Sequence, residues 1–191
     1  MIIREIETKD LNAVLGIYSP FINDTAVTFE TIQPGFDLFK QRVASVTQQY
    51  PWLVAEEDGI ILGYAYASSY RERKAYQWCC EVSIYLHPNS KGKGIAGNLY
   101  KALIEILHIQ EFCNAYAVIA LPNDNSVRFH EKYGFKWFAT YNNVGYKLGK
   151  WHNVGWWQLA IQPPKENPSD PIPYRQIEKA RIKTILAKYR M

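Results

Sequence analysis

The chain has 191 residues, enough for one domain with an appendage. With 48% hydrophobic and 21% charged residues it has the composition of a folded globular protein, and no stretch approaches the ~20 apolar residues that cross a bilayer, so no membrane partner is expected. The net charge is +4, but from Lys165 onward seven basic residues face three acidic ones, so residues 1–164 are neutral and no nucleic-acid-binding face is expected.

In chain order, "MIIREI" alternates weakly and reads as a first strand. Its early charges leave no secretory apolar region, so a cytoplasmic location is expected. Thr8 or Asp10 stands where it would cap a helix through "LNAVLGIYSPFIN". "TAVTFET" is β-branched and predicts extended chain, while Phe36, Phe39, Val43 and Val46 recur at helical spacing. "PWLVAEEDGIILGYAYASSYR" is two apolar runs around Asp58-Gly59, a hairpin signal. "AYQWCCEVSIYLHP" predicts another strand. Its adjacent Cys79 and Cys80, with Cys113, form neither a disulfide framework nor a metal-ligand spacing, so core roles, a reducing compartment and no metal are expected. A glycine-rich loop then leads into a helix with Leu99, Leu103 and Leu107 on one face. "NAYAVIAL" is a buried-type strand, followed by Pro122-Asn123-Asp124 and a helix ending at Tyr133-Gly134. "KWFATYNNVGYKLGKWHNVGWWQLAI" supplies two final strands. Beyond the Pro-rich linker "PPKENPSDPIP", Ile182, Ile185, Leu186 and Tyr189 mark a short basic amphipathic helix that docks on its own domain or on a partner. This order predicts an α/β (α+β) sheet with one parallel crossover at the glycine loop.

Three anion-binding patterns compete for "KGKGIAG". Gly92-Lys93-Gly94-Ile95-Ala96-Gly97 fits the dinucleotide fingerprint G-x-G-x-x-G, but it sits mid-chain after a hairpin. The acid at the expected distance, Glu111, precedes the next strand instead of closing it. A nucleotide-triphosphate loop needs Ser or Thr after Lys93, where Gly94 stands. A pyrophosphate cradle remains: consecutive N–H groups from Gly92 to Gly97 at a helix start, with Lys91 and Lys93 adding charge. The bland alternative is a flexible loop with solvated lysines.

Lys91-Gly92-Lys93-Gly94-Ile95-Ala96 resembles the Q/R-x-x-G-x-G/A motif of GCN5-related N-acetyltransferases (GNAT), with Lys in place of Gln or Arg. "VTFE", "YPWLVAEEDG", "AYQWCCEVSIYLHP", "ALPNDNSVRFHEKYGF" and "GKWHNVGWWQL" resemble, in order, the phosphinothricin and methionine sulfoximine acetyltransferase group. The resemblance covers residues 1–163; residues 164–191, linker and helix, have no counterpart in it. It implies the GNAT fold: a mixed, mostly antiparallel sheet, flanked by helices, whose one parallel pair splays at the acetyl-CoA site.

Acetyl transfer from a thioester needs a deprotonated amine, a polarised carbonyl and a stabilised thiolate. The resemblance implies acetyl-CoA as co-substrate, held by backbone of Ile84, Tyr85 and Leu86, by the loop residues Gly92, Lys93, Gly94, Ile95, Ala96 and Gly97, and by Asn123. Asn123 also suits a plain helix cap. Alternation puts Glu81, Ser83 and Tyr85 on one face of their strand and Cys80, Val82, Ile84 and Leu86 on the other. Glu81 either faces solvent or serves a site, and the resemblance places it as general base. His130 stands where many members carry a Tyr general acid; a helix histidine is otherwise packed or solvated. For a small amino-acid-like substrate the resemblance implicates Phe29 and Glu30, then Arg71, Glu72 and Arg73, then Glu81, Val82 and Ser83. It also implies a homodimer, with His152 reaching the partner's site. Competing expectations are another amine acceptor, such as a polyamine or protein N-terminus, and a non-catalytic acyl-CoA sensor. The "YRERKAY" cations favour an anionic acceptor over a cationic one.

Overall fold

A computed structural model describes residues 1–90 and 94–190. The chain runs β1 (Ile2–Glu5), α1 (Leu11–Asp24), α2 (Phe36–Gln49), β2 (Trp52–Glu57), β3 (Ile60–Ser69), β4 (Cys79–Leu86) and α3 (Ile95–Ile109). It continues through β5 (Asn114–Leu121), α4 (Asp124–Lys132), β6 (Lys136–Lys147), β7 (Lys150–Ala160) and α5 (Lys179–Ala187). The seven strands form one sheet in the order β1-β2-β3-β4-β5-β7-β6. Every neighbouring pair is antiparallel except β4 and β5, which the α3 crossover joins in parallel. The hairpin at Asp58-Gly59 has φ of 52° and 80°, and Leu148-Gly149 joining β6 to β7 has 52° and 76°. Two left-handed residues in succession match the right-handed twist of the flanking strands.

Both sheet faces are buried over β2–β4. Leu53, Ala65, Cys80 and Val82 pack under α3, whose Leu99, Leu103 and Leu107 are all inaccessible. Trp52, Val54 and Tyr64 point the other way, under α1 and α2, with Val14, Ile17, Phe39 and Val43. Strand alternation thus feeds two cores at once. Among the described residues no helix is long and apolar enough to cross a membrane.

The C-terminal segment is built into the first core. Tyr174, Ile177, Ile182, Ile185 and Leu186 are buried in the same cluster as α3. Tyr174 Oη and Lys179 Nζ both reach Glu5 Oε1 at 3.0 Å, while Glu105 takes Tyr189 Oη at 2.9 Å and the Lys188 ammonium. Docking on its own domain is therefore what the amphipathic pattern expresses.

Two local expectations need correction. Residues 25–31 are irregular, with bends at 26–28, and do not form an extended strand. The Thr hydroxyls bond locally instead: Thr25 Oγ1 donates to Phe21 O at 2.8 Å and accepts from Val27 N–H at 3.2 Å, and Thr28 Oγ1 accepts from Glu30 N–H at 3.3 Å. Such bonds compete with a ladder. Nor does Asp10 cap α1 through its side chain. It is a buried partner of Arg4, whose Nη1 and Nη2 reach Oδ2 and Oδ1 at 2.6 and 2.8 Å while Nε reaches Glu56 at 2.6 Å. One guanidinium thus ties edge strand β1 to β2 and to the turn before α1.

Burial pushes the Asp10 carboxyl up, but the Arg4 hydrogen bonds and charge, with the Glu7 N–H, outweigh it and hold it below the ordinary range. A depressed native pKa adds stability above the ordinary carboxylate range and loses it as pH falls through the native value. Arg4→Met should therefore cost roughly 3–5 kcal/mol at pH 7, because it strands a buried carboxylate. Denaturant titrations should show the loss shrinking toward pH 3.

Candidate active site

The parallel pairing of β4 with β5 covers Cys79–Glu81 against Asn114–Tyr116 and stops there. Beyond Glu81, β4 remains registered with β3 through to Leu86, while β5 stays registered with β7 from Asn114 to Leu121. The two strands diverge, and a wedge opens between them. Buried backbone groups need partners, so the free edge of β4 over Val82–Leu86 is a ready surface for an extended ligand.

A cavity of about 260 Å³ lies in this wedge, lined by Tyr18, Thr28, Phe29, Glu81, Ser83 and Val118 among others. Glu81 and Ser83 reach it from one face of β4, as alternation predicts. Val82 lines the cavity, but its side chain is buried in the opposite core with Ile84 and Leu86 packed beside it. Tyr85 faces the cavity side but packs edge-on against Tyr18 and Phe21, with ring centroids at 4.9 and 5.1 Å.

Glu81 is half-buried where the strands part. Burial raises its carboxyl to about 7, and the charge of Arg71 lowers it only in part. A carboxylate tuned to that range accepts a proton efficiently near neutrality. Arg71 lies 5.0 Å from the Tyr70 ring centroid and 5.8 Å from that of Tyr76. Tyr70 stacks on Tyr116 at 4.5 Å and meets Trp156 edge-on at 6.0 Å. This aromatic stack sets the cation next to the wedge. Glu72 and Arg73 lie exposed on the same loop.

Gly94 precedes α3 with φ of 72°, a left-handed turn that a Cβ would strain. A Cβ on Gly97 would come within 1.9 Å of Tyr133 Oη, so only glycine lets the end of α4 close on α3. Gly94, Ile95, Ala96 and Gly97 supply the first-turn N–H groups that a helix leaves unpaired. Gly92 and Lys93 lie outside the described residues. Asn123 Oδ1 accepts the Ser126 N–H at 3.2 Å, so it does cap α4.

Three residues are placed differently from expectation. The Glu30 carboxylate is held by Arg42 Nη1 at 2.5 Å, on α2, and is not left free for a substrate ammonium. His130 is 4% exposed and uses both ring nitrogens internally. Its Nδ1–H donates to Ser126 O at 2.8 Å, which leaves Nε2 to accept from Tyr100 Oη at 2.7 Å. Burial lowers its proton affinity, consistent with that neutral tautomer. His152 is buried against its own subunit, donating from Nε2 to Lys147 O at 3.0 Å. Sequence patterns missed Tyr18, Tyr70, Tyr116, Trp156 and Lys147, because each joins the site through tertiary packing.

The family described as the acetyltransferase (GNAT) domain matches residues 3–156. The chain belongs to the GNAT acetyltransferase family. It is 36% identical over 175 residues to a phosphinothricin N-acetyltransferase of Streptomyces viridochromogenes, covering 92% of this chain and 93% of that one. It is 31% identical over 174 residues to an L-methionine sulfoximine/L-methionine sulfone acetyltransferase of Pseudomonas paraeruginosa, covering 87% of this chain and 98% of the relative. A crystal structure of a Sinorhizobium meliloti phosphinothricin acetyltransferase in complex with acetyl-CoA superposes with a TM-score of 0.82 at 30% identity, over 91% of this chain and 98% of that one. The chain is thus a GNAT N-acetyltransferase related to the phosphinothricin and methionine sulfoximine enzymes, and its splayed sheet is the one expected of that fold.

A raised carboxyl pKa has a thermodynamic signature. Between the ordinary carboxylate range and about 7, folded Glu81 keeps a proton that the unfolded chain has released, so its contribution to stability declines as pH rises. Glu81→Gln should therefore stabilise the fold at pH 8 by about 1–2 kcal/mol, allowing for solvent screening. Thermal denaturation should show Tm up by roughly 2–6 °C at pH 8 and little gain at pH 4.5.

Proposed function

We propose that this enzyme acetylates the α-amine of a small amino acid or analogue with a tetrahedral, oxidised side chain: phosphinothricin, methionine sulfoximine or methionine sulfone. The observation that carries this reading is Glu81, half-buried at the divergence of β4 and β5 with its carboxyl raised to about 7. Acetyl-CoA supplies the acetyl group as an activated thioester. The first turn of α3, Gly94 to Gly97, and Asn123 bind the co-substrate, and the open edge of β4 over Ile84–Leu86 holds its extended portion. Gly92 and Lys93 complete the loop in this reading.

Glu81 takes the proton from the substrate ammonium, directly or through one water, and frees the nitrogen lone pair for attack. The β4 backbone donors polarise the carbonyl, and holding both reactants in one wedge removes much of the entropic barrier. Arg71 faces the substrate's anionic groups, with Arg73 reinforcing the field. Phe29 and Ser83 line the cavity, and Glu30, Glu72 and Val82 act through loop and backbone position. A thiol with pKa near ~8.5 leaves as thiolate without a strong acid. His130 therefore serves by holding Tyr100 and α4, not by direct protonation.

We infer a homodimer in which β6 and β7 meet the partner. Trp137, Phe138, Tyr141, Tyr146 and Trp151 are all exposed along this outer pair, and exposed aromatics in such number mark an interface. Its cysteines are free, as suits a cytoplasmic enzyme that removes toxic amino-acid analogues.

Colorimetric detection of released CoA across phosphinothricin, methionine sulfoximine, methionine sulfone, natural amino acids, a polyamine and an N-terminal peptide tests the reading. Turnover is expected with the tetrahedral analogues. Turnover with only the polyamine or the peptide would overturn the acceptor class, and acetyl-CoA binding with no turnover on any amine would make the chain a sensor. Glu81→Gln should lower kcat about 10²–10⁴-fold while acetyl-CoA binding changes little. In the wild type, kcat/KM for the amine should rise with pH through about 7, as Glu81 ionises.

A further inference from the structure

The loop of residues 25–35 between α1 and α2 supplies Val27, Thr28 and Phe29 to the wall of the cavity that Glu81 lines. It has no strand partner, so its shape depends on side chains from elsewhere. Tyr18 Oη and Thr28 Oγ1 are 2.8 Å apart, and Arg42 holds Glu30, which fix the loop to α1 and α2. The third attachment comes from across the sheet. Lys147, the last residue of β6, is only 5% exposed, and its Nζ donates to Thr28 O at 2.7 Å and to Phe21 O at 3.5 Å.

A lysine is among the residues least often buried. Here its ammonium meets carbonyl oxygens, one of them in the last turns of α1, where the helix dipole favours a cation. Among charged neighbours, Glu30 raises its proton affinity, though burial lowers it more. The same end of β6 seats the next loop residue. A Cβ on Gly145 would lie 2.2 Å from the Phe29 ring, so Phe29 rests directly on β6 backbone. His152, opposite Gly145 in the ladder, lies 6.1 Å from the Phe29 ring centroid and is itself anchored on Lys147 O. Gly145, Lys147 and His152 together form a seat for Thr28 and Phe29.

We propose that Lys147 is a positioning residue for the amine acceptor, holding Thr28 and Phe29 as the acceptor wall of the active site. The proposal rests on the acetyl transfer described above. Lys147 touches neither reactant; it acts through the loop. Losing the latch therefore weakens acceptor binding and leaves the co-substrate site, built on β4 and α3, intact.

Lys147→Met, Lys147→Arg and Gly145→Ala are to be compared with wild type by CoA release, varying the acceptor and acetyl-CoA separately. Loss of a charge-assisted hydrogen bond to the loop should raise acceptor KM roughly tenfold or more in Lys147→Met, with acetyl-CoA KM within about twofold. Lys147→Arg keeps the donors and should recover much of that loss. Gly145→Ala, which displaces Phe29 without touching Lys147, should raise acceptor KM in the same direction, and it carries the test if Lys147→Met does not fold. Hydrogen exchange gives a readout independent of turnover: amides of residues 25–31 should exchange faster in Lys147→Met while those of α3 do not. An unchanged acceptor KM in a folded Lys147→Met, equal increases in both KM values, or unchanged exchange at residues 25–31 would overturn the latch. A wild type inactive on every acceptor would instead overturn the acceptor reading, with the exchange result still deciding the latch.

Discussion

Everything at this site follows from the point where two parallel strands stop pairing. The bonds between β4 and β5 end at Glu81 and Tyr116, and beyond that point each strand keeps only its other neighbour. A sheet cannot leave a buried row of amides empty without cost, so the divergence makes a slot with polar edges and apolar walls. Glu81 occupies its apex. Its altered proton affinity comes mostly from that position, because the strands that flank it exclude solvent before any ligand arrives.

The crossover that creates the parallel pair also sets the start of α3, the helix end proposed to bind the co-substrate, directly after β4 in the chain. α3 packs over the sheet and β5 returns beside β4 in parallel. Gly97 lets Tyr133 approach, Tyr100 engages His130, and α3 forms one wall of the main core. The C-terminal helix packs against the same α3 through Glu105 and the Ile182–Leu186 face. Of the two docking surfaces its amphipathic pattern allows, its own domain or a partner, it takes the first, with its cations on Glu5 and Glu105.

The acceptor side is assembled from distant parts of the chain. Loop 25–35 lies between α1 and α2, the Arg71 loop follows β3, and β6 lies at the far edge of the sheet. Each contributes through packing: Arg71 through Tyr70 and Tyr116, Phe29 through Gly145, and Thr28 through Lys147. The proposed donor side draws instead on neighbours in the chain, β4 and the start of α3. Such a division lets acceptor preference change by repacking loops while the thioester site stays as it is.

The sequence by itself determined the secondary elements whose signals are local. The turn at Asp58-Gly59 and the leucine face of α3 could be read directly, because φ preferences and side-chain periodicity act within a few residues. It also marked Glu81 as a carboxylate on an apolar strand, and motif order alone carried the donor loop. Tertiary structure alone decided the rest. Whether Glu81 faces solvent or a buried wedge depends on where β5 stops pairing, some thirty-five residues downstream. Asn123 looked equally suited to capping and ligand contact, and only the fold put its Oδ1 on Ser126 N–H. Glu30, His130 and His152 resembled free site groups until Arg42, Tyr100 and Lys147 O were seen to engage them. Hydrogen-bond partners and dielectric surroundings are properties of the packed molecule, and no local pattern encodes which of two polar groups far apart in the chain will meet.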